Sequence, residues 1–204
     1  MSETKKQENW GRSARSAMFE VSFVIIGIVL ALAIAEWWED REIANRTNDL
    51  VARLYIEAGE NLERTKKAHR HHEMQLEVIQ THTEGKTDLT DADYRAVSQQ
   101  LFSKGVFKQA QITEFNWELA KHTGLMTYME LDILNAFAEV SELRTTHTKL
   151  WDRTMEGWAA ADFQDLSDKR NVELVKSAFT AIWWIEKNLI DRLEKLIAAK
   201  KPAS

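Results

Sequence analysis

The chain has 204 residues, with 27 Lys and Arg against 32 Asp and Glu, one Pro, seven Gly and no Cys. The missing Cys excludes disulfide stapling and thiol catalysis, and a net charge of −5 without a basic patch argues against nucleic-acid binding. So few helix breakers point to long helices, and the length allows one domain with a real core beside a membrane segment.

Residues 1–16 are polar, too short to fold alone, and hold no signalling domain. The stretch that organises the chain follows, at 17–38: AMFEVSFVIIGIVLALAIAEWW. Between Val21 and Ala35 it carries neither charge nor Pro. As a helix those residues cover roughly 22 Å at about 1.5 Å per residue. Met18 and Phe19 on one side, and Trp37 and Trp38 on the other, extend it toward the about 30 Å of a hydrocarbon core. Trp favours the membrane–water boundary, so Trp37 and Trp38 read as an interfacial belt, with Trp10 as their counterpart. Glu20 sits about one turn inside the first edge. It is either an interface residue or a partner for a cation on another subunit.

Flanking charge sets the orientation. Lys5, Lys6, Arg12 and Arg15 precede the stretch, and Glu36, Glu39, Asp40 and Glu42 follow it with only Arg41 opposed. Lys and Arg stay cytoplasmic, so the N-terminus is expected inside and the bulk outside. In a Gram-negative cell that is a single-pass protein of the bacterial inner membrane with its bulk in the periplasm. Four basic and three acidic residues fall in 1–20, which leaves the exported part at −6 against −5 overall. Ala33-Ile34-Ala35 also has the A-x-A form of a signal-peptidase site, so a cleaved signal is the alternative. A buried core helix would show a polar stripe, and this stretch has none. Gly27, Ala31 and Ala35 fall at i, i+4, i+8, the small-residue spacing that lets another spanning helix approach closely, although small residues are common in such helices anyway.

The helical pattern continues past the Trp pair. From Glu39 to about Thr81, Ile43, Leu50, Leu54, Leu62, Leu76 and Ile79 recur near helical spacing, with Gly59 as the one place to bend. Thr83–Asp91 reads as a loop. Thr90 caps a helix that carries Asp93 in its first turn, has the apolar face Tyr94, Val97 and Leu101, and ends at Gly105. A shorter helix spans about Thr113 to His122, stopped by Gly124. Thr127-Tyr-Met-Glu130 has capping-box form and opens a helix to about Ala160, with Ile133, Phe137, Val140, His147, Trp151 and Trp158 on one face. Ser167 caps the last helix, to about Ala199, along the seam Val172, Val175, Phe179, Ile182, Leu189, Leu193 and Leu196. The expected fold is all-α: one N-terminal transmembrane helix continuing into an antiparallel helical bundle outside the membrane. The expected divisions are a cytoplasmic tail at 1–16, an anchor at 17–38 and a bundle at 39–204.

Val21–Arg41 (VSFVIIGIVLALAIAEWWEDR) and Ile112–Val140 (ITEFNWELAKHTGLMTYMELDILNAFAEV) carry a resemblance. The chain resembles bacterial single-span membrane proteins of unknown function, the DUF6090-like family. That family has an apolar run with V-I-G-I and A-L leading to Trp and acidic residues, then an aromatic, Glu-Leu, and Gly-Leu before a helix. The two stretches cover about a quarter of the chain, and Ala33–Glu36 departs from the polar amides usual there. The resemblance implies fold and topology, and no reaction.

The densest polar constellation is Ala68-His-Arg-His-His-Glu-Met74. His69, His72 and Glu73 share a helix face through i, i+3 and i, i+4 spacing, which suits zinc or copper. It equally describes a solvated polar face, with Lys66, Lys67 and Arg70 alongside, or a patch that gains charge in mild acid. His82 is the one further ligand nearby in sequence. His147, on an apolar face, reads as a packed, hydrogen-bonded core histidine, and His122 suits the negative end of a helix. Trp184 has mostly polar neighbours at helical spacing, so it projects outward while Trp183 turns to the seam. An exposed Trp is either a partner contact or an ordinary exposed apolar residue. No catalytic motif is present, and no cofactor is implied. The expected function is a non-catalytic accessory or scaffold subunit of a larger membrane assembly. Its expected partners are the lipid bilayer and other membrane-protein subunits, including a lateral transmembrane helix. The alternative is a membrane-tethered periplasmic bundle that binds a ligand or metal.

Overall fold

The computed structural model describes residues 4–86, 89–160 and 169–200. The elements are α1 (Thr4–Thr83), α2 (Asp91–Ser103), α3 (Phe115–Thr123), a 3-10 turn (Leu125–Tyr128), α4 (Leu131–Ala160) and α5 (Lys169–Ala198). Among the described residues there is no strand. The chain divides into two compact units, Met1–Asn48 and Asp49–Ser204. Glu39–Asn48 therefore groups with the apolar stretch, and the second unit begins at Asp49.

The first unit is the N-terminal part of α1. From Met18 to Trp38 every residue is exposed. By length and composition this is the one helix, among the described residues, able to cross a membrane, and none of its apolar window is buried. α1 runs without a break through Gly59, as the missing Pro suggested.

In the second unit, local chemistry marks most of the helix ends. Thr90 and Asp93 form a reciprocal capping box, with Asp93 N–H donating to Thr90 Oγ1 at 3.3 Å and Thr90 N–H to Asp93 Oδ2 at 2.9 Å. Gly105 follows α2 at φ +77° and Gly124 ends α3 at φ +71°, the left-handed backbone that glycine adopts at least cost. The expected capping box at Thr127 is not formed. Thr127 lies inside the 3-10 turn and its hydroxyl donates to Gly124 O at 2.9 Å, so α4 starts at Leu131. The expected cap at Ser167 lies outside the described residues. α3 starts two residues later than expected, at Phe115, and its cap comes from far away. The Glu57 carboxylate accepts from Phe115 N–H at 2.8 Å and Asn116 N–H at 3.0 Å.

Two apolar clusters fill the interior. One gathers Leu50, Leu54, Tyr55 and Ala58 of α1, Trp117 and Ala120 of α3, Met129, Phe137 of α4, and Leu189, Leu193 and Leu196 of α5. The other gathers Val78 and Ile79 of α1, Tyr94, Val97 and Leu101 of α2, Val106, and Val172, Val175 and Phe179 of α5. Each fully buried side chain of this size contributes about 1.5–3 kcal/mol. All seven residues of the predicted α5 seam are buried. Between the clusters, buried polar side chains appear on the same helices. On α1 they are Asn61, Thr65, His71, His72 and Gln75, on α4 His147, and on α5 Glu186. A polar layer thus interrupts the core at one level of three helices.

Candidate functional site

That layer centres on Glu186, which is fully buried. Its Oε2 lies 2.9 Å from His72 Nδ1 and 3.9 Å from His69 Nδ1, and its Oε1 lies 3.6 Å from His147 Nε2. His72 is fully buried, and the His69 and His147 side chains are 12% and 2% exposed. Two helices, α1 and α4, therefore aim three imidazoles at one carboxylate on α5. Helical spacing makes this possible. His69 and His72 are three residues apart on α1 and so share a face. His147 falls on the α4 stripe with Phe137 and Trp151, and Glu186 on the α5 stripe with Ile182 and Leu189.

An ionised carboxylate only accepts hydrogen bonds, so His72 donates from Nδ1 to Glu186 Oε2. The other two separations are ion-pair distances, too long for a good hydrogen bond. His72 Nε2, His69 Nδ1, His147 Nε2, Glu186 Oε1 and Trp183 Nε1 are buried without a hydrogen-bond partner among the described residues. Aromatic rings wall the layer. Trp183 stacks on His69 at 5.0 Å, and Phe179 and Trp151 lie 5.7 and 6.2 Å from His72. Next along α1, Gln75 Nε2 donates to Gly105 O at 2.6 Å, fixing the chain after α2 against the layer.

Burial acts to raise the Glu186 carboxyl, but the imidazoles of His147 and His72 outweigh it and hold it below the usual carboxylate range. Burial dominates at His69 and pushes it below the usual histidine range, against the attraction of Glu186 and Glu73. His71, half a turn from His69 on α1, is also lowered, first by burial and then by its neighbour His72.

The expected grouping of His69, His72 and Glu73 is thus only partly realised. Glu73 is exposed, because adjacent helical positions point about 100° apart and His72 takes the inward direction. Glu186, distant in sequence, supplies the acid instead. His82 stands apart, donating from Nδ1 to Val78 O at 2.9 Å. Among the described residues no group of three or more His, Asp or Glu is arranged to hold a metal ion. His147 is a packed core histidine as expected, but the expected hydrogen bond is not made at Nε2, which is buried without a partner among the described residues, 3.6 Å from Glu186 Oε1. His122 is exposed at the end of α3.

The other predicted residues lie on surfaces. Gly27, Ala31 and Ala35 are exposed on the apolar stretch, and a Cβ added at Gly27 would meet nothing within 4 Å. Glu20 is exposed one turn inside its start. Trp37 and Trp38 meet edge-on at 5.8 Å, both outward, and the Arg41 guanidinium lies 5.5 Å over the Trp37 ring. The Trp10 side chain lies outside the described residues. Trp184 is 57% exposed, while Trp183 turns inward as the pattern implied.

Comparison of the chain with protein-family models, curated proteins and solved structures gave no match.

Proposed function

We propose that the chain is a non-catalytic accessory or scaffold subunit of a membrane assembly. In this reading it is held by one helix with the N-terminus inside, and a helical bundle on the periplasmic side contacts its neighbours. The observation that carries the reading is the stretch from Met18 to Trp38. It is apolar, helical and exposed on every side. Contiguous apolar surface of that extent, covered by nothing in its own chain, marks contact with lipid or with another protein. Its length matches a bilayer, its Trp pair matches an interface, and basic residues precede it while acidic ones follow. Glycine and alanine at Gly27, Ala31 and Ala35 leave room for a second helix within the membrane.

The test is extraction of the protein from its native membrane in mild detergent, through a tag on the C-terminus, with identification of what co-purifies. A stoichiometric set of partners that is lost on Gly27→Leu with Ala31→Leu supports the reading. A lone monomer from the native membrane overturns it, as does a full-length gene product that the cell cleaves after Ala35 and releases into the soluble fraction.

A further inference from the structure

We propose that the His69–His72–His147–Glu186 layer is a proton-operated switch, which holds α1, α4 and α5 together while it carries at most one imidazolium and loosens them when mild acid adds a second. The inference is independent of the membrane reading.

The argument is a charge count in a closed space. Glu186 supplies one buried negative charge, and three imidazoles face it at 2.9, 3.6 and 3.9 Å. One imidazolium is matched by the one carboxylate, and the layer is then neutral. A second proton has no countercharge within the layer, where His72 Nε2 and His147 Nε2 are buried without a hydrogen-bond partner among the described residues. On His69 that proton would face Glu186 Oε2 from 3.9 Å, beyond hydrogen-bonding distance, while His72 makes the nearer approach. The layer would then carry a net positive charge among side chains that are at most 12% exposed, a state that proteins avoid by separating the groups or unfolding locally.

The surrounding charges do not relieve this. On α1, Glu73 attracts a proton on His69 but is exposed and screened, and His71 lies edge-on to His72 at 5.7 Å. On α5, Lys187 repels a proton on His69. Lys108, on the segment between α2 and α3, repels one on His71. α4 supplies His147 itself. The direction of the pH dependence follows. His69 and His71 are held below the usual histidine range by burial, so the unfolded chain takes up protons that the folded layer refuses. Their contribution to stability is complete above the ordinary histidine range near pH 6.5 and is lost as the pH falls through it. Glu186, held below the ordinary carboxylate range, stays ionised through that window.

The experiment is thermal unfolding of the full chain in detergent from pH 8 to pH 5, with near-ultraviolet circular dichroism reporting the rings packed on the layer. The expected result is a Tm lower by roughly 5 °C at pH 5.5 than at pH 7.5, with a reversible near-ultraviolet change below the melting range. His69→Gln removes one refused proton at the least buried member and flattens the slope by about half. Glu186→Gln removes the balancing charge and moves the loss to higher pH. His122→Gln, on the exposed surface, leaves the slope unchanged. A wild-type Tm that is flat across this range overturns the proposal, and so does a slope untouched by both His69→Gln and Glu186→Gln. Zinc chloride that raises Tm at pH 7.5 and abolishes the pH dependence also overturns it, by making the layer a metal site.

Discussion

Glu57→Ala removes a cap that no local signal reveals. Its carboxylate accepts from two backbone N–H groups at the start of α3, at 2.8 and 3.0 Å, from 58 and 59 residues away. The first N–H groups of a helix have no partner within the helix and carry the positive end of its dipole, so a carboxylate there gains twice. Hydrogen bonds to a charged acceptor contribute about 1.5–3 kcal/mol each. Both N–H groups are part-buried, so water replaces part of that after the carboxylate is removed. The net loss expected is about 3 kcal/mol. In a domain of this size that lowers Tm by roughly 6–12 °C. Glu57→Gln keeps one acceptor oxygen and loses the charge, so it is expected to cost about half as much. The assay is thermal unfolding of the full chain in detergent, followed at 222 nm. A Glu57→Ala protein that melts within about 2 °C of the wild type, or a Glu57→Gln protein as damaged as Glu57→Ala, refutes the reasoning.

Leu193 is fully buried among α1, α3 and α4 side chains, so Leu193→Ala is expected to lose about 2–5 kcal/mol, measured as the shift in denaturant midpoint at constant slope. Gly124→Ala places a Cβ at φ +71° in otherwise open space. Only backbone strain is paid there, about 1–2 kcal/mol in the same assay, and Gly124→Asn, which tolerates the left-handed region, is expected to lose less.

Most of the helix layout was legible because it is written locally. The α5 seam repeats at helical spacing, Thr90 and Asp93 sit three residues apart, and Gly124 has no competitor as a helix stop. Thr127 misled for the same reason. Its spacing to Glu130 satisfies the capping pattern, but the chain leaves Gly124 in a 3-10 turn, and the hydroxyl is used backward on Gly124 O. The candidate site was half legible. His69 and His72 stood out at helical spacing, and His147 betrayed itself as a polar residue on an apolar stripe. Glu186 gives the same signal, lying at i+4 from Ile182 and i−3 from Leu189, an acid on a face that is otherwise apolar. What no periodicity supplies is that the three stripes reach this point at the same level. That depends on the entry and exit of each helix, and the exit from α2 is fixed by Gln75 reaching Gly105 O.

The layer also predicts an inverted mutational ladder. Removing the acid alone, as in Glu186→Leu, leaves His72 Nδ1 without its acceptor and three imidazoles facing an apolar side chain. Breaking a buried pair from one side typically costs about 3–5 kcal/mol. Replacing all four members with Leu removes the buried charge and the unpartnered polar atoms of those four side chains together. Such replacements are neutral or stabilising by about 1–4 kcal/mol where the volumes match. The fourfold variant is therefore expected to melt above Glu186→Leu and near or above the wild type at pH 7.5, and to show no slope toward pH 5.5. A fourfold variant less stable than Glu186→Leu would mean that these side chains contribute to stability through their packing and not through charge. If the expected order holds, the wild-type layer is not the most stable filling for this core. What it adds over a purely apolar layer is a response to protons and a unique register of α1, α4 and α5, because a one-turn slip of any of these helices would leave Glu186 buried against apolar rings.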